Sequence, residues 1–141
     1  MRNVFTFASS NRPLNITVME MTSLIQTAAQ LIVGLGILNV WLIRSQKATS
    51  YRGGSATSLK AEFATYGLPT AVFYLIGALK ITAALALLIG IALPQFIAPA
   101  ATVMAILMAG AISMHLKVHD TAQKSIPAAI VLMLCLLIRF A

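Results

Sequence analysis

Four long apolar runs divide the chain: Thr22 to Ile43, Thr70 to Ala92, Gln95 to Leu116 and Ile126 to Phe140. They are continuous rather than alternating, and all exceed the roughly 10 residues of a membrane barrel strand. A helix needs about 20 residues to cross the hydrocarbon of a bilayer, and the first three runs meet that length. The fourth covers only about 22 Å at helical rise. It spans fully if it begins near Ala122, or if the bilayer thins around it. A backbone in hydrocarbon must satisfy its own hydrogen bonds, which a helix does within one segment. The pattern therefore predicts an all-α fold, an integral membrane four-helix bundle over residues 22–141 with a long first loop. Residues 1–21 read as a weakly structured tail. They lack the continuous apolar stretch of a signal peptide, and Met19 and Met21 are alternative starts to Met1.

The connections differ in kind. Leu93, Pro94 and Gln95 form a hairpin between the second and third spans, with Pro94 stopping one helix and Pro99 suited to the start of the next. The polar stretch Lys117 to Ser125 joins the third and fourth spans, with Ser125 as N-cap before Pro127. The long segment Arg44 to Pro69 joins the first two. Its Gly53-Gly54 pair signals a turn. Ser58 to Tyr66 is expected to form a short amphipathic helix with Leu59 and Phe63 on one side, ended by Gly67 and Pro69. The loop face of these connections carries Arg44, Lys47, Arg52, Lys60, Lys117 and Lys124; the opposite face carries Arg139, Arg2 and Arg12. The bias predicts a cytoplasmic long loop, with both termini across the membrane. Ala101, Ala105, Ala109 and Ser113 recur at every fourth position and predict a smooth ridge for bundle packing.

Composition sharpens this picture. Hydrophobic residues make up 60% of the chain and charged residues 9%, too little polar surface for a soluble domain of this size. The formal net charge is +7. Without a basic stripe interleaved with aromatics, that charge points to anionic lipid headgroups and not to nucleic acid. Cys135 is the single cysteine and lies in an apolar run, so the chain carries no intrachain disulfide and no CxxC motif.

The candidate chemistry centres on Lys80. It lies ten residues beyond Thr70, about 15 Å deep by helical rise and near the middle of a hydrocarbon core about 30 Å thick. The acids Glu20, Glu62 and Asp120 all lie near or outside the span boundaries. Lys80 is thus expected to bind carbonyls and water, a polar ligand, or to lose its proton. Asn39, Tyr74, Lys80, Ser113 and His115 cluster at mid-depth or toward the loop face, predicting a polar pocket that opens toward the first loop. The other half is apolar apart from Gln26 and Gln30. Arg52, in the compact Tyr51-Arg52-Gly53-Gly54 segment, is a further candidate for an anionic lipid or substrate. His115 and His119 share a face if the third helix continues that far, and two histidines at that spacing can hold a metal. With only Asp120 as a third ligand, interfacial histidines are the expected reading and no metal site is assigned. Trp41 is expected to anchor the first span at the interface.

Several blocks together resemble one family. They are Asn39-Val40-Trp41-Leu42, Tyr51-Arg52-Gly53-Gly54, Phe63 with Tyr66-Gly67-Leu68-Pro69, Gly77-Ala78-Leu79-Lys80, Gly110 to Lys117, and Lys124-Ser125-Ile126-Pro127-Ala128. From about Leu24 to Ile138 the chain resembles the DoxX-like family of small bacterial membrane proteins. The resemblance implies a four-helix membrane bundle in the bacterial inner membrane. The broader group includes subunits associated with a thiosulfate:quinone oxidoreductase. This chain shows no CxxC, haem or flavin motif, so electrons would have to travel on a bound quinone, the one cofactor to consider. The leading expectation is an accessory protein, not an enzyme on its own. It would bind a small amphipathic ligand (lipid or quinone), a membrane protein partner or a second copy, through Lys80, His115, Asn39, Tyr74, Ser113 and Arg52. The alternatives are a membrane subunit of a quinone-linked oxidoreductase and a small transporter or channel; no inverted repeat supports the last.

Overall fold

The computed structural model describes residues 12–141. Among them the order is α1 (Arg12–Leu38) continued by a π-helical turn (Asn39–Ile43), the short α2 (Leu59–Thr65), α3 (Thr70–Ile89), a 3-10 turn (Pro94–Phe96), α4 (Ile97–Lys117) and α5 (Ala122–Phe140). Four helices are long and apolar enough to cross a membrane: Pro13–Ile43, Thr70–Ile89, Pro94–Lys117 and Ala122–Phe140. The protein is an all-α membrane bundle, as the apolar runs predict. α1 packs against α3 and α5, and α4 against α3 and α5, so the four spans close into a ring.

The first helix starts earlier than the apolar run implies. Residues 12–21, expected to be weakly structured, are helical, and residues 13–21 are exposed. Pro13 sits in the first turn, where its missing N–H is no loss. Thr17 and Thr22 turn their hydroxyls onto the carbonyls of Pro13 and Val18, both at 2.9 Å, which lets polar residues continue the helix. The rest of the expected tail, residues 1–11, lies outside the described residues. α5 likewise begins at Ala122, with Thr121 as N-cap, so Ser125 does not cap it and Pro127 lies inside the helix.

The core is built from small and flexible side chains. Ala29, Val33, Ile37 and Trp41 line the inward face of α1. They meet Ala83, Ala84 and Leu87 of α3, Ala100, Ala101, Met104 and Met108 of α4, and Cys135 and Ile138 of α5. Cys135 is fully buried and behaves as a small hydrophobe. The expected small-residue ridge only partly faces inward: Ala101 is buried, while Ala109 and Ser113 are exposed. Steps of four overshoot a helix of 3.6 residues per turn, so the row drifts out of the interface.

Gln26 and Gln30 do specific work at the end of the bundle away from the long loop. Ile91 N–H bonds the carbonyl of Leu88 at the end of α3, which leaves Leu87 without its usual helical donor. The amide of Gln30 supplies one at 2.8 Å, and Gln26 caps Ile138 of α5 at 2.9 Å. Helix α1 thus closes the ends of two other helices. Gln30→Ala is expected to cost about 2 kcal/mol, from the unsatisfied buried carbonyl. A melting curve in detergent reads this directly.

Candidate functional site

The site is organised by α2. Leu59, Glu62, Phe63 and Tyr66 recur at helical spacing, so all four share one face, and that face is turned into the protein. Ser58 caps the helix by accepting from Ala61 N–H at 3.1 Å. Gly67, with φ 76°, ends it. The expected surface helix is therefore present, but its inner face carries a carboxylate.

Glu62 is 7% exposed and its carboxylate is well engaged. Oε1 accepts from Gly53 N–H at 2.8 Å and from the Tyr66 hydroxyl at 2.7 Å. Oε2 lies 3.4 Å from the Arg52 guanidinium. Arg52 in turn donates to the carbonyls of Arg44 at 3.0 Å and Lys47 at 3.2 Å, tying the loop down from several directions. A Cβ at residue 53 would sit 2.6 Å from the Tyr66 ring, so only glycine lets the loop approach this closely. Burial, and then the hydrogen bond to Glu62, push the Tyr66 phenol well above its ordinary pKa. It stays neutral and donates.

His115, in the last turn of α4, lies between two carboxylates. Its Nδ1 is 2.8 Å from Asp120 Oδ2, and its Nε2 is 3.8 Å from Glu62 Oε1. The Tyr66 hydroxyl is 3.4 Å from either ring nitrogen. Asp120 reaches back because His119 adopts the left-handed conformation, φ 56°, and Asp120 N–H bonds the carbonyl of His115 at 3.0 Å. Asp120 also accepts from Gly54 N–H at 3.0 Å and lies 3.6 Å from Lys124. The result is a connected row of polar side chains, Arg52–Glu62–His115–Asp120–Lys124, across the loop end of the bundle. Since a β-carbon strains the left-handed region, His119→Gly is expected to stabilise by about 0.5 kcal/mol. A small rise in melting temperature would show it.

Burial raises the Asp120 pKa, but the His115 hydrogen bond, the Gly54 N–H and the charge of Lys124 outweigh burial and hold it below the ordinary 3.8. A carboxylate depressed in the native state contributes stability that is complete above its unfolded pKa. That contribution is lost as pH falls through the native value. Melting temperature is therefore expected to fall below about pH 4, and Asp120→Asn to remove part of that fall.

Lys80 lies in α3, one turn after Gly77, and is 9% exposed. Its ammonium sits 5.4 Å from the centroid of the Trp41 ring. No hydrogen bond or ion pair to it is found among the described residues. It lines a cavity of ≈ 350 Å³ between α3 and α4, roofed by α2. Val72, Ile76, Ile106, Leu107 and Met114 make its walls, while Glu62, Tyr66 and His115 give it further polar groups. A second cavity of ≈ 570 Å³ lies on the loop side, with Arg44, Arg52 and Lys124 around it. Leu59, Glu62 and His115 line both cavities and so form the partition between them.

The sequence candidates are distributed unevenly over this geometry. Lys80 and His115 share the inner cavity. Arg52 lines the outer one, with its donors largely committed to the loop backbone. Asn39 opens the π-helical turn, where its carbonyl accepts from Arg44 N–H, and lines neither cavity. Tyr74 is exposed, with Lys60 5.8 Å above its ring, and Ser113 is exposed with its hydroxyl on Ala109 O at 2.9 Å. His119 is exposed and lies beyond the end of α4, so it shares no helix face with His115. No group of three metal-ligating side chains occurs among the described residues. Trp41 is buried rather than interfacial. It stacks on Phe73 at 5.3 Å and meets the edge of Phe63 at 5.9 Å. Glu62, Tyr66 and Asp120 belong to the site and were not among the expected residues. The shared face of Leu59, Glu62, Phe63 and Tyr66 was the available signal for the first two.

Against known proteins, residues 49–138 match the model of the DoxX-like family. No curated protein and no solved structure matches the chain.

Proposed function

The chain belongs to the DoxX-like family and is a multi-pass membrane protein, and from that premise we propose that it binds a small amphipathic molecule from the bilayer, a lipid or a quinone, in the cavity beside Lys80. One observation carries this reading: an ammonium inside a membrane span lines an apolar-walled cavity and has no hydrogen-bond or ion-pair partner among the described residues. An intramembrane charge is costly, so a chain that keeps one has a use for it. The cavity offers an apolar body room along Ile76, Ile106 and Leu107, and offers a polar head Lys80, Tyr66 and His115. The role is accessory binding rather than catalysis. The positive-inside bias supports a cytoplasmic long loop with the termini across the membrane, and membership of a bacterial membrane family supports the inner membrane as its place.

Native mass spectrometry of gently extracted protein tests the binding. A retained small molecule is expected, lost in Lys80→Met and in Gly110→Leu. The second substitution is intended as a plug: residue 110 lines the cavity, and a Cβ there meets open space, so the position admits a side chain. No bound molecule in the unmodified protein sinks the proposal. A second reading, a membrane subunit of a quinone-linked oxidoreductase, draws on His115, whose ring N–H suits a hydrogen bond to a quinone carbonyl. It requires quinone reduction in the presence of a donor subunit, abolished by His115→Leu.

A further inference from the structure

The occupant of the Lys80 cavity is narrowed by charge, on the premise that the binding proposed above occurs. Glu62, the other full charge on the cavity, has its carboxylate taken by Gly53, Tyr66 and Arg52. His115 is held by Asp120 at 2.8 Å. Among the described residues lining the cavity, Lys80 is the charge left without an ion pair, nine-tenths buried and with the face of Trp41 5.4 Å from it. A ring face supports an ammonium more weakly than an anion does. In hydrocarbon, an ammonium without a counter-ion is strongly disfavoured.

The route in restricts the rest of the molecule. Ile106 and Gly110 are exposed at the mouth between α3 and α4, so the cavity opens sideways toward acyl chains. Lys80 sits about 15 Å into its span by helical rise, near the bilayer midplane. The headgroup of a two-chain phospholipid belongs at the interface and does not reach that depth. A single-chain acid does: uncharged in its protonated form, it crosses hydrocarbon and gives its proton to the Lys80 amine, which leaves an ammonium–carboxylate pair. A phosphate monoester would bring a second negative charge to meet one cation. We infer that the cavity takes the head of a single-chain carboxylic acid, its carboxylate paired with Lys80 and its chain leaving between α3 and α4.

Trp41 is the sole tryptophan and reports on the site from 5.4 Å. The test uses the full-length protein in nanodiscs under mildly alkaline conditions. The two probes are a stearic acid carrying a nitroxide close to its carboxyl end, which quenches indole fluorescence, and its uncharged methyl ester. The acid is expected to quench Trp41 with an affinity about tenfold or more above the ester, as a charge-assisted bond gives. Lys80→Met should erase that preference, Lys80→Arg should keep it, and Gly110→Leu should weaken both probes. Equal quenching by acid and ester, still reduced by Gly110→Leu, overturns the acid assignment while leaving the cavity as a binding site. A preference for the acid that survives Lys80→Met overturns the role of Lys80. Quenching by both probes that ignores Gly110→Leu overturns the inference and the binding reading together.

Discussion

Glu62→Ala is expected to destabilise the protein by about 3–5 kcal/mol, the cost of breaking a buried ion pair by removing one partner. The loss is large because one carboxylate serves three groups: the Arg52 guanidinium, the Gly53 N–H and the Tyr66 hydroxyl. Without it, Arg52 keeps its charge beside α2 with nothing to balance it, and α2 loses its tie to the loop. The spans themselves do not depend on this carboxylate. The expected phenotype is therefore a loop end that opens while transmembrane helicity persists. Hydrogen exchange should show protection lost around residues 49–66 and retained in α3 and α4. Glu62→Gln separates the components, since an amide oxygen still accepts from Gly53 and Tyr66 but does not neutralise Arg52. It should fall between the wild type and Glu62→Ala. Full protection in Glu62→Ala would show that α2 is held by packing alone.

Gly77→Ala should cost about 1–3 kcal/mol, the range for overpacking a filled core. The added Cβ would lie 2.6 Å from Cζ3 and 2.9 Å from Cε3 of Trp41. The indole cannot slide aside, because Phe73 stacks on it and Phe63 meets it edge-on. The displaced ring also leaves the Lys80 ammonium, so the substitution should shift indole emission as well as lower the melting temperature. Gly36→Ala is the control. No atom lies within 4 Å of its Cβ, and in a helix the change should be neutral or stabilise by up to about 1 kcal/mol. Equal melting temperatures for the two alanine variants would contradict the close contact between Gly77 and Trp41.

These two residues also mark how far the chain could be read without its structure. The spans were legible because continuous apolar length is a direct physical demand of hydrocarbon. Lys80 was legible because a charge at that depth breaks the pattern. Glu62 was hidden by its address. It lies outside every span, in a loop where acids are ordinarily solvated, and only the inward turn of α2 makes it a buried group. Asp120 was hidden for a related reason: its approach to His115 depends on the backbone of His119 entering a conformation that histidine seldom adopts. Tyr74 and Ser113 were misleading for the opposite reason. Depth along a helix says nothing about azimuth, and both point away from the cavity. Trp41 has the composition of an interface anchor, but the glycine opposite it admits the ring to the core.

The glutamines of α1 have a consequence for biogenesis. The ribosome makes α1 before α3 and α5, the helices whose carbonyls Gln26 and Gln30 cap. Until α3 and α5 are made, those two amides lack the acceptors they have in the fold. As α3 and then α5 arrive, each finds a donor already in position at its terminal turn. Because α1 precedes both helices in the chain, its two amides fix where the ends of α3 and α5 settle against it.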